Sequence, residues 1–113
     1  MEREAYKYIF SLTKNKVEIE KYRCEVTKYG KNVGYHLKGT GRLVSNKRFE
    51  TFSIFKSGEN LIAWSFSNDR EIEFKKKCIS RIEELIERIK THYEISILNL
   101  KIELAKEGII EWN

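Results

Sequence analysis

Cys24, His36, Cys78 and His92 are the side chains of this sequence best suited to act as nucleophile, base or metal ligand, and their spacing argues against each role. Structural zinc sites draw ligands in close pairs, whereas these four stand singly on what read as different elements, so neither a metal nor a cofactor is expected. A Cys24 nucleophile with His36 as base lacks any orienting signature; Cys24 falls in apolar phase between Tyr22 and Val26 and reads as a small buried hydrophobe. Gly34 and Gly39 have the first spacing of a P-loop, but Thr40 stands where the lysine must be. Gly39-Thr40-Gly41 lacks the third glycine of a dinucleotide fingerprint and reads as a turn. Glu18, Glu20 and Glu25 read as a solvated strand face, and Lys75-Lys76-Lys77 as a helix face neutralised by Glu71 and Glu73. No catalytic constellation is left, and a non-enzymatic protein is expected.

The stretch from Val26 to Phe49 is different. It contains no Asp or Glu, carries six Lys and Arg, and interleaves them with aromatic residues. Lys28, Tyr29, Lys31, Tyr35, Lys38, Arg42, Lys47 and Arg48 are therefore the candidate nucleic-acid-binding residues, with cations for phosphates and Tyr rings on which bases of any sequence could stack. Single-stranded nucleic acid is the expected partner. Tyr29 and Tyr35 share one strand parity and Lys28 and Lys38 the other, so the two rings could equally lie beneath a helix with cations alone displayed.

Charge is unevenly divided along the chain. Residues 1–56 hold 13 Lys and Arg against 6 Asp and Glu, a net of +7, while residues 57–113 come to −2. One-sided cation excess is an electrostatic footprint for a polyanion, although lysine on exposed strands also blocks edge-to-edge aggregation. At 113 residues and 41% hydrophobic, the chain reads as a single domain, with a basic sheet half over 1–67 and a helical half over 68–113. No apolar run approaches the roughly 20 residues needed to span a bilayer, no secretory leader is visible, and two unpaired cysteines suit a reducing compartment. A cytoplasmic protein without membrane contact is expected.

The elements that must carry these residues follow from periodicity. Ala5–Leu12 reads as a strand; Val17–Val26 reads as a second whose change of parity implies a β-bulge near Glu20-Lys21. Val33–Leu37, Arg42–Val44, Phe49–Phe55 and Leu61–Phe66 follow, separated by turn-forming clusters at 29–32, 39–41, 45–47 and 57–60. Ser67-Asn68-Asp69 reads as an N-cap, and Ile72, Ile79, Ile82, Leu85, Ile86, Ile89 and Tyr93 mark an amphipathic helix. The fold class is thus α+β: an antiparallel β-meander of five to six strands followed by one long or two consecutive C-terminal α-helices. The same layout occurs in small single-strand-binding modules, a likeness of layout alone.

Residues 94–106 carry both patterns. Leu98, Leu100, Ile102 and Leu104 alternate as a strand would, while Ile95, Leu98, Ile102, Ala105 and Ile109 fit a helix ending at Gly108; helix is preferred. These five make a second apolar face that needs a second partner, so they are the candidate oligomer interface, and a homodimer is favoured. A single helix would run about 58 Å, and a break near Thr91-His92-Tyr93 is the alternative. The competing functional reading is a homodimeric interaction or inhibitor module, of the kind found in viruses and mobile elements, whose basic sheet meets an acidic protein.

Overall fold

A computed structural model describes residues 2–110. The protein is α+β, a six-stranded antiparallel sheet followed by a long C-terminal helix. Strands β1 (Glu2–Ser11), β2 (Lys16–Tyr29), β3 (Asn32–Leu37) and β4 (Leu43–Ser45) form consecutive antiparallel neighbours. A short helix α1 (Lys47–Glu50) leads to the hairpin β5 (Phe55–Ser57) and β6 (Asn60–Ser65), whose β6 pairs with β1, giving the order β4-β3-β2-β1-β6-β5. Helix α2 spans Glu71–Lys106. The chain divides into two units, Met1–Ile79 and Ser80–Asn113.

The sheet of the first unit is apolar on both faces, at different places. On one face, Ala5 of β1 opposes Tyr22, Cys24 opposes Leu37, and these join Tyr35, Val44, Ile62 and Trp64 in the main core. On the other, Tyr8 packs against Phe74 at 5.5 Å and Phe52 at 5.3 Å, with Ala63 opposite Tyr8 in register. β2 serves both: Val17 and Ile19 oppose Phe10 and Tyr8 on the second face, then Tyr22 and Cys24 turn to the first. The expected bulge at Glu20-Lys21 is therefore absent. Register runs unbroken from Lys16↔Ser11 to Glu25↔Glu2, and the parity change records which face is covered at each end of the strand.

The first face is concave. In a flat sheet, three strand spacings of about 4.8 Å would keep β3 and β6 roughly 14 Å apart. Yet the rings of Tyr35 on β3 and Phe66 just past β6 meet at 4.9 Å, and α1 touches both β4 and β6. Phe49 of α1 fills the hollow, stacked on Phe66 at 4.2 Å and edge-on to Tyr35 at 5.1 Å. This corrects the expected strand over Phe49–Phe55. Its apolar residues occupied both parities because Phe49 enters one face from a helix, while Phe52, in a left-handed conformation at φ 49°, joins Tyr8 and Phe74 on the other. The Lys77 ammonium donates to the carbonyls of Thr51 and Phe52 at 2.8 and 3.1 Å, satisfying acceptors beyond the end of α1.

Helix α2 starts without the expected side-chain cap. Ser67 Oγ engages Asp69 rather than a helix N–H, and the first helical bond runs from Phe74 N–H to the Arg70 carbonyl. The Tyr8 hydroxyl takes over instead, accepting from Arg70 N–H at 3.1 Å and donating to the Ser67 carbonyl at 2.7 Å. At the other end Gly108, at φ +74°, closes a Schellman turn, with Gly108 N–H to Ala105 and Ile109 N–H to Leu104. Residues 94–106 are helical and no break occurs at Thr91–Tyr93, so both belong to α2. No helix among the described residues is long and apolar enough to cross a membrane.

Candidate interaction surfaces

The eight candidates from the basic stretch fall in several places on the first unit. Tyr35 is 8% exposed and belongs to the core, so its ring is not a platform for a base. Tyr29 is 39% exposed and lies against Gly34, where an added Cβ would come within 2.8 Å of its Cε1. Lys38 is neutralised by Glu2 and by Glu25 at 3.4 Å. Arg48 covers the Phe55 ring at 4.8 Å. Lys31 and Lys47 do come together, in a cleft of about 170 Å³ shared with Asn32, Asn46 and Glu50. Lys28, on the exposed end of β2, opposes Val33.

Arg42 keeps different company. Its guanidinium lies 5.8 Å from the Trp64 ring, as does the Lys7 ammonium, and Arg3 covers Phe66 at 3.5 Å. Arg3 and Lys7 lie outside the stretch singled out by composition. Their signal was positional: both share strand parity with Ala5 and Ile9, so they flank the core on the concave face. Trp64 itself is fully buried, which leaves these cations without an exposed ring for stacking.

The thiols are placed for packing. Cys24 donates weakly to the Arg3 carbonyl at 3.4 Å, and burial raises its pKa; His36, opposite Glu25, is on the other face of the sheet. Burial pushes the Cys78 thiol up to about 11, beside a cleft of about 350 Å³ lined by Phe10, Val17 and Ile79. A polar cleft of about 490 Å³ between the β1–β2 and β5–β6 turns holds Lys14, Lys16, Glu18 and Glu59. On the open part of the convex face, Glu4 is held below the usual carboxylate range by its Lys21 partner and by the Tyr6 hydroxyl. Among the described residues no three His, Cys, Asp or Glu side chains gather as a metal site would require.

The second unit carries the larger apolar surface. Along α2, Ile82, Ile86, Ile89, Tyr93, Ile97, Leu100 and Leu104 recur every three or four residues. At about 100° per residue they fall within an arc roughly 80° wide. Six of them, from Ile86 onward, are between 38 and 62% exposed. The candidate interface residues Ile95, Leu98, Ile102 and Ala105 form a shorter row on the opposite side, with Ile109 just past the helix end. Ile95 and Leu98 are about half exposed, and Ile102 and Ala105 are partly buried. The alternation that suggested a strand is these two rows read together: Leu98 and Ile102 belong to one, Leu100 and Leu104 to the other.

Comparison of the chain with protein-family models, with curated proteins and with solved structures returns no match.

Proposed function

We propose that this chain is a protein-interaction module that self-associates through residues 80–106 of α2. One observation carries the reading: a helix within a unit that has no other element among the described residues displays a continuous row of Ile, Leu and Tyr, each a third or more exposed from Ile86 to Leu104. Isolated apolar residues on a surface are ordinary, but a contiguous row over more than six turns marks an interaction face. Covering the open half of each such side chain returns about 1 kcal/mol. The test is sedimentation velocity on the full chain, against Ile89→Glu/Ile97→Glu. Both positions are exposed, so the variant keeps its helix content by circular dichroism and sediments as a monomer while the parent does not. A parent of monomeric mass at high concentration contradicts the reading.

Polyanion binding by the first unit is the second reading, supported by Arg3 and Arg42 lying on the concave side of the sheet, beside a Lys7 that is paired with Glu20 at 3.9 Å. Without an open aromatic ring there, binding would be by phosphate contact alone and would weaken steeply between about 50 and 200 mM salt. Fluorescence anisotropy with labelled single-stranded DNA and RNA, comparing the parent with Arg3→Glu/Arg42→Glu, decides it; no binding at the lower salt removes it.

A further inference from the structure

We propose that two copies of this chain pair through α2 in antiparallel orientation, centred on Tyr93, with the row from Ile82 to Leu104 buried between them. The inference rests on the self-associating reading above and adds the partner and its direction. Two features of the helix favour this direction: an apolar spacing that is unchanged on reversal, and an edge charge series whose signs invert on reversal.

The first is spacing. From Ile82 the apolar steps are 4, 3, 4, 4, 3 and 4 residues, a sequence that reads identically from either end. Laid antiparallel about Tyr93, Ile89 of one copy meets Ile97 of the other, Ile86 meets Leu100 and Ile82 meets Leu104. Every layer away from the centre then contains only Ile and Leu. Two successive four-residue steps at Tyr93 form a stutter, which locally unwinds a supercoil and keeps the row facing its partner.

The second is charge. Glu83, Lys90, Glu94 and Lys101 lie along one edge of the row, and among the described residues none of them makes an ion pair within its own chain. Glu84, on another side, is occupied by both Arg81 and Arg88. Antiparallel pairing brings Lys90 of one copy to Glu94 of the other and Glu83 to Lys101, and the two-fold axis doubles each contact. Parallel pairing instead sets this edge against the opposite one, where Leu85, His92, Ser96 and Glu103 offer no matching series. An isologous contact of this kind closes on itself and gives a dimer rather than a filament.

Orientation is read by pulsed dipolar spectroscopy on full-length Thr91→Cys and Lys106→Cys labelled with a nitroxide, with the mass of each sample taken by sedimentation. The native thiols are buried and held protonated, so the label goes to the introduced sites. At 1.5 Å per residue, antiparallel copies put the labels at position 106 about 40 Å apart and those at 91 under about 30 Å. Both distances under about 30 Å in a dimer overturn the antiparallel orientation and leave self-association standing; a monomeric mass overturns both. Glu83→Lys/Glu94→Lys raises the dimer Kd roughly tenfold or more at low salt, and adding Lys90→Glu/Lys101→Glu to the same chain restores it. A quadruple variant as weak as the double one overturns the charge register.

Discussion

The Tyr8 hydroxyl stands where β1 meets the start of α2, bonded at once to the Arg70 N–H and the Ser67 carbonyl. Removing it strands two polar groups in a part-buried site, so Tyr8→Phe costs about 1–3 kcal/mol in urea unfolding, with helix content unchanged. Gly34 is needed for room rather than for backbone freedom, since an added Cβ meets Tyr29 Cε1 at 2.8 Å and the Val44 carbonyl at 3.2 Å. Gly34→Ala therefore destabilises by about 1 kcal/mol, and Tyr29→Ala in the same chain recovers part of the loss, because the tightest contact is with that ring. Cys78 adds a pH dependence. Burial raises its thiol from 9.0 to about 11, so the folded protein holds this proton more tightly than the unfolded chain does. The resulting stability is complete below pH 9 and is lost as pH rises toward 11. Cys78→Ala flattens that slope in thermal melts.

At the scale of elements, α1 is the plug of the curled sheet. Phe49 touches Tyr35, Trp64 and Phe66, and Phe49→Ala should cost about 3–5 kcal/mol, lowering the urea midpoint far more than any change on the outer faces. This element was not legible in the sequence. Four helical residues between two short strands give no periodicity to detect, and Phe49, Phe52, Ile54 and Phe55 look like a strand buried on both faces. The remaining strands and α2 were legible because each repeats its own period for long enough. β2 shows the limit of that signal, since its parity change follows from Val17 and Ile19 lying opposite Phe10 and Tyr8 on one face while Tyr22 and Cys24 face the main core on the other. Charge showed a different limit. Composition located the basic half, but pairing is three-dimensional: Lys38 lies between Glu2 and Glu25 and Lys7 beside Glu20, while Arg3, from another strand, shares the concave face with Arg42.

At the scale of the whole molecule, the two units offer different kinds of surface. The first buries Tyr8, Tyr35, Phe49, Phe52 and Trp64 and leaves cations at its rim; the second leaves an apolar row open along its helix. The row was partly legible, because three- and four-residue spacing is visible in any sequence, whereas the choice between two opposed rows was not. Only a continuous helix through Thr91–Tyr93 joins Ile82 to Leu104 in one line and makes that row the longer. The most direct measurement is the mass of the full chain by sedimentation equilibrium, at neutral pH and moderate salt, beside Ile89→Glu/Ile97→Glu. Twice the mass of one 13.5 kDa chain for the parent and a single mass for the variant are the predicted result. One-chain mass for both, with α2 helical in each, would contradict self-association through this helix.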